Sequence, residues 1–310
     1  MLETGLVDVA AIADPSPEAV GEAAQLAPAA QIVPDLAGLL DCDLDGVVIA
    51  TPSAMHADQA IEALERGAAV FCQKPLGRTE VEAEAVVAAA RASDRLLEVD
   101  LSYRFTEGMQ AIRELLQSGE LGRIYAADLV FHNAYGPDKP WFYERALSGG
   151  GCVMDLGVHL IDLLLWGLDF PEVSDVAGHL FAGGAPLEGG SDQVEDYAVA
   201  TLKLDGGAVA RLACSWRLQA GCDAVISASF YGTAGGVTFR NLGGSFYDFA
   251  AERLSGTARQ TLTEAPDAWG GRAAANWARR LANGEGFCSD ADRLVELARV
   301  LDRVYDSALR

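Results

Sequence analysis

Between residues 7 and 101 short apolar runs alternate with helix-forming stretches, and this constrains the chain more than any other feature. The runs predict strands at 7–14, 31–33, 45–50, 69–72 and 96–101, with helices at 17–26, 35–41, 55–66 and 80–92 between them. Pro15 stops the first run, Gly67 sits where a helix needs a left-handed cap, and Thr79 precedes an Ala- and Glu-rich stretch as an N-cap does. Strands joined by helices run parallel and are covered on both faces. The expected fold class is therefore α/β, with a parallel, doubly wound Rossmann-type sheet over residues 1–104.

After Phe105 the pattern changes. Helical stretches at 106–118 and 152–166 flank a strand at 123–132, and a long β-rich region follows. Asp205-Gly206-Gly207 and Thr233-Ala234-Gly235-Gly236 each join two strand-like runs as hairpin turns do, so residues 105–310 should form an α+β domain around a mainly antiparallel open sheet, closed by helices at 267–282 and 290–308. Tyr197–Leu202 and Val225–Phe230 carry apolar or small residues on both faces, more than one helix layer covers. A homodimer or homotetramer through this sheet is expected.

Against 45 Asp and Glu the chain has only 23 Lys and Arg, a net charge of −22 that repels nucleic acid and anionic membrane surfaces. The longest nearly apolar stretch, Leu160–Phe170, carries two aspartates and is far short of the roughly 20 residues a membrane-spanning helix needs. No basic, apolar leader opens the chain, so a cytoplasmic protein is the expectation. Six cysteines lie far apart without a C-x-x-C pair, which predicts reduced thiols and no metal site.

Three places carry chemistry. On an α-helical wheel Asp155, His159 and Asp162, which follow Gly149-Gly150-Gly151, fall within about 60° of one another, a narrow polar stripe on an otherwise apolar helix. A histidine beside carboxylates can handle a proton near neutral pH, although a satisfied core histidine would leave the same spacing. Lys74, in Phe71-Cys72-Gln73-Lys74-Pro75, follows a strand at the end where open α/β sheets bind ligands, and it is one of three lysines against twenty arginines; a solvated surface lysine remains the alternative. Thr51-Pro52-Ser53-Ala54-Met55-His56 marks another strand end, equally readable as a helix-capping turn.

Together and in this order, the Thr-Pro turn with its His, the Lys-Pro after a later strand and the G-G-G-x-x-x-D-x-G-x-H-x-x-D helix resemble the glucose-fructose oxidoreductase and inositol dehydrogenase (Gfo/Idh/MocA) family over nearly the whole chain. The resemblance implies a nicotinamide-dependent oxidoreductase acting on a sugar, inositol or related polyhydroxy compound. Lys74 would contact the reacting oxygen, His159 accept the proton, and Asp155 partner both. It further implies cofactor contacts from Asp14, Thr51, Pro52, His56, Gln73 and Lys74, and substrate contacts from Lys74, Tyr103, Arg104, Trp141, Asp155 and His159. Asp14, at the end of the second Rossmann strand, favours NAD because a carboxylate there repels a 2'-phosphate.

Two departures from the family pattern stand out. Glu-Lys-Pro is Gln73-Lys74-Pro75 here, and no first strand or G-x-G-x-x-G precedes residue 7. That strand is central in the dinucleotide-binding order, between the strands at 7–14 and 45–50, so its loss should empty the middle of the sheet. The expectation is an N-terminally shortened form lacking about 20 to 30 residues; the alternative is a non-catalytic binding homologue without a cofactor site.

Overall fold

The computed structural model describes residues 1–309. The N-terminal half runs β1 (Ala11–Ile12), α1 (Pro17–Leu26), β2 (Gln31–Ile32), α2 (Leu36–Leu40), β3 (Gly46–Ile49), α3 (Ser53–Glu65), β4 (Ala69–Cys72), α4 (Glu80–Ser93) and β5 (Leu97–Val99). Local chemistry sets the helix starts. The Ser16 hydroxyl accepts from the Ala19 N–H with Pro17 in the first turn, and Thr79 accepts from Glu82 N–H. Every strand pair here is parallel, as the alternation requires.

Among the described residues β1 and β2 form one sheet and β3, β4 and β5 another, and β1 does not close against β3. The strand expected over 7–14 shrinks to Ala11–Ile12, since a short run without a neighbour on one edge has few ladder partners to hold it extended. Val48, in the middle of β3, is 46% exposed.

The second half runs α5 (Glu107–Ser118), β6 (Ile124–Asn133), α6 (Arg145–Ser148), a π-helical turn (Val153–Gly157), α7 (Val158–Gly167), β7 (Val173–Ala182), β8 (Ala185–Pro186), β9 (Tyr197–Leu204), β10 (Val209–Ser215), β11 (Ala224–Gly232), β12 (Gly236–Asn241), β13 (Phe249–Ser255), β14 (Ala258–Thr263), α8 (Arg272–Ala282) and α9 (Asp292–Ala308). The strands build one nine-stranded sheet in the order β14-β13-β12-β11-β6-β10-β9-β7-β8, antiparallel except where β6 meets β10. Helices α5, α7 and α9 pack on one face. Along β9, β10 and β11 alternate residues are buried, so the other face stays open, with Tyr125 and Val209 more than 40% exposed.

All ten residues of α7 are buried, and each Leu or Ile among them contributes about 1.5–3 kcal/mol of burial. With the turns before it, α7 completes a 23-residue helical run, Arg145–Gly167, that is apolar and long enough to cross a membrane by length and composition. It is mostly buried inside the protein, as a core helix is. The apolar stretch Leu160–Phe170 therefore understated the helix, because the residues before it continue the run.

Helix α8 departs from expectation. It returns to the N-terminal half, where Trp277 packs on Phe71 of β4 with ring centroids 5.8 Å apart and leaves no room for a side chain at Gly46 of β3. It therefore shares a core cluster with β4 rather than closing the second sheet.

Candidate active site

Lys74 lies just beyond the carboxyl end of β4, and Asp155 sits in the π-helical turn that precedes α7. The lysine Nζ donates to Asp155 Oδ1 at 2.6 Å and to the Asp155 main-chain oxygen at 2.8 Å. Both side chains are mostly enclosed, 17% and 15% exposed. The second carboxylate oxygen, Oδ2, accepts the indole N–H of Trp216 at 2.9 Å. Burial pushes the Asp155 carboxyl up, but the charge and hydrogen bond of Lys74, the Trp216 N–H and His159 together hold it below the usual carboxylate range.

One turn further on, His159 is buried with its ring edge-on to Tyr103, centroids 5.0 Å apart. Burial, reinforced by the charge of Lys74 and opposed by Asp155, pushes its pKa down to about 3. The imidazole is thus neutral at physiological pH, and it can take a proton only where the cation so formed is stabilised, as the Asp155 carboxylate does here. Burial also raises the Tyr103 hydroxyl, as does the nearby charge of Asp155. A small cleft is lined by Ser53, Lys74, Pro75, Trp141, Gly151 and Asp155, which brings Trp141 to the same place.

Not every residue singled out in the sequence reaches this cleft. Arg104 does not: its guanidinium forms a bidentate pair with buried Asp162 and lies over the Trp166 and Phe170 rings, so its donors tie the segment after β5 to α7. Asp162 accordingly serves Arg104, apart from the Lys74–Asp155 pair, and the uniform wheel is broken by the π turn at Val153–Gly157. His56 is only 1% exposed, and its ring nitrogens face the main-chain oxygens of Pro75 and Thr51, each at 2.7 Å. It braces the turns after β3 and β4 from behind, leaving nothing for a dinucleotide.

The Gln-for-Glu departure has a local cause. Gln73 donates through its amide to Asp100, at the end of β5, at 2.7 Å, and a carboxylate at position 73 would face Asp100 like charge to like charge. Asp14 accepts from the Ser16 N–H at 2.8 Å and opens α1. Thr51 and Pro52 precede α3, whose first turn has no side-chain cap. Asp14, Thr51, Pro52 and Gln73 all lie at the carboxyl ends of parallel strands, and the open helix start suits an anionic ligand. The Thr51 hydroxyl is bonded to Gln59 and the Gln73 amide to Asp100, so what these strand ends offer a dinucleotide is the second Asp14 carboxylate oxygen and the main-chain N–H groups that open α3, while a glycine-rich cradle for a pyrophosphate has no counterpart in the sequence. All six cysteines are free, and among the described residues no cluster of three His, Cys, Asp or Glu is placed to hold a metal ion.

Residues 2–101 match the NAD-binding Rossmann fold of the Gfo/Idh/MocA oxidoreductases, and residues 109–238 match that family's C-terminal domain. The chain belongs to the Gfo/Idh/MocA family. Among Gfo/Idh/MocA relatives it is 30% identical to D-glucoside 3-dehydrogenase of Escherichia coli (strain K12), over 64% of this chain and 60% of that protein. It is 28% identical to levoglucosan dehydrogenase of Pseudarthrobacter phenanthrenivorans, over 74% of this chain and 64% of that one. The aligned region thus spans about three fifths of these relatives' length. The fold superposes with a TM-score of 0.80 on GenD2 from gentamicin A biosynthesis in complex with NAD, at 24% identity over 97% of this chain and 87% of that one.

Trp216 and Asp100 were not singled out by sequence. Each partners a site residue far away in the chain, Trp216 to Asp155 and Asp100 to Gln73, and short-range spacing carries no trace of such pairs.

Proposed function

We propose that the protein is a nicotinamide-dependent oxidoreductase that moves hydride directly between NAD and a hydroxyl-bearing carbon of a sugar, an inositol or a related cyclic polyhydroxy compound. The observation that carries this reading is the Lys74–Asp155 pair at the end of β4 with a neutral, buried His159 one turn away. An ammonium has three donors. Two are committed to Asp155, and the third is left for the oxygen of the reacting carbon. Asp155 neutralises the lysine and fixes its direction, so charge developing on that oxygen meets a preset donor.

In the oxidative direction His159 takes the hydroxyl proton, and the resulting cation lies near the Asp155 carboxylate. The nicotinamide, when bound, supplies the hydride acceptor. Asp14, Thr51, Pro52 and Gln73 would hold it, and Trp141 would wall the substrate, with Tyr103 packed behind the cleft against His159. The sugar-active relatives support the substrate class.

The test is to mix the 310-residue chain with NAD and a panel of aldoses, glucosides and inositols and to follow nicotinamide reduction by absorbance. Reduction that depends on one class of polyol and disappears in His159→Ala is expected. Failure to bind either dinucleotide at millimolar concentration by calorimetry would overturn the proposal in favour of a binding homologue.

A further inference from the structure

Glu195 is 1% exposed, lies just before β9, and was not singled out by its sequence context. Its Oε1 accepts the N–H of Gly151 at 3.0 Å, the N–H of Val153 at 2.9 Å and the hydroxyl of Tyr305, from α9, at 2.8 Å. Its main-chain oxygen accepts the N–H of Cys152 at 2.9 Å. One residue from another element thus satisfies three consecutive amides at the point where the helical run turns toward Asp155, donors that a helix start otherwise leaves orphaned. The Gly149-Gly150-Gly151 run makes room for this. A Cβ on Gly151 would fall 1.9 Å from the Glu195 carbonyl oxygen, and one on Gly150 would fall 1.9 Å from the Tyr305 hydroxyl.

The contact continues into the site. Gly151 C=O accepts the Asp155 N–H at 3.0 Å, and Asp155 in turn holds Lys74 through two oxygens. We propose that Glu195, buttressed by Tyr305, is a positioning residue: a side-chain cap supplied from a distant point of the same chain that fixes the first turn of the catalytic helix and so holds Asp155 against Lys74. The catalytic importance of that pair rests on the proposed function; the positioning itself does not, and it can be read without substrate or cofactor.

The chain's three lysines make the test specific. Trace acetylation of the folded protein with acetic anhydride, read by mass spectrometry, reports the reactivity of Lys74 against Lys139 and Lys203, whose side chains are 66% and 64% exposed. In Glu195→Gln, which keeps the shape and removes the charge, the Lys74:Lys203 ratio should rise at least about fivefold, equivalent to about 1 kcal/mol of lost protection. The Lys139:Lys203 ratio should not move, and unfolding should remain cooperative. Tyr305→Phe, which leaves the carboxylate and removes one donor, should move Lys74 in the same direction by a smaller factor. An unchanged Lys74 ratio in folded Glu195→Gln overturns the proposal, as does a rise shared equally by Lys139. Should Glu195→Gln fail to fold, an unchanged ratio in Tyr305→Phe overturns it alone. A chain that proves unable to oxidise any polyol leaves this readout intact.

Discussion

Replacing Trp216 with Phe removes one hydrogen bond to Asp155 and keeps an aromatic ring in a site that is 3% exposed. A hydrogen bond to a charged group contributes about 1.5–3 kcal/mol. Taking about 2 kcal/mol for this one, its loss should move the Asp155 carboxyl up toward its ordinary range in the variant. In the wild type this carboxyl lies below its unfolded value, so its contribution to stability is present above the unfolded pKa and lost as pH falls through the folded one. The variant should therefore be less stable by about 2 kcal/mol near pH 7, plus a pH-independent packing loss of about 1 kcal/mol where the ring meets Phe142 and Tyr143.

Urea denaturation at several pH values between about 7 and 3 separates the two parts. The electrostatic part should shrink by half or more as pH falls through the variant's raised carboxyl pKa, while the packing part stays. A stability difference that is flat across this window would refute the charge-assisted bond and leave Trp216 as a packing residue only.

The other expectations concern charge, cofactor and assembly. On the proposed role of His159 as proton acceptor, His159→Ala should lower turnover at least about a hundredfold while the chain stays folded, at a cavity cost of about 2–4 kcal/mol where the ring meets Tyr103 and Phe131; a folded variant that keeps most of its activity removes that assignment. Because His159 is neutral in the fold down to about pH 3 but titrates near 6.5 when unfolded, it should cost up to about 1.4 kcal/mol of stability per pH unit as pH falls between those values, and His159→Gln should flatten the acid slope measured by thermal denaturation. Asp14 at the end of the β1 segment should favour NAD, and kinetics preferring NADP by tenfold or more (about 1.4 kcal/mol) would exclude a ribose-binding role for it. The open face of the nine-stranded sheet, with Tyr125 and Val209 uncovered, should be buried in a dimer or tetramer, and light scattering that finds a strict monomer at micromolar concentration would contradict this.

What the sequence reveals divides along the range of the interactions. Helix α4 begins where Thr79 says it should, because a cap and its partner lie three residues apart, and Ser16 caps α1 with the same spacing. Strand β4 appears as an apolar run because it is buried on both faces, and β3 reads the same way in sequence although its Val48 face is exposed. The parallel pairing of β6 with β10 and the return of α8 to the first sheet leave no such mark, since each is decided by surfaces far apart in the chain. The same holds within the site. Lys74 and Asp155 stand out through their motifs, but Trp216 and Glu195 act across 61 and 44 residues, and the stripe drawn for Asp155, His159 and Asp162 assumed a uniform helix that the π turn interrupts. One local signal did point to the missing partner. Three successive glycines between α6 and the π-helical turn are more than the single left-handed cap at Gly149 requires. Only Gly149 of the three has a positive φ, so the other two are glycine for want of space. Such a surplus of glycine implies that another part of the chain occupies the room their side chains would take, and here that part is Glu195 with Tyr305.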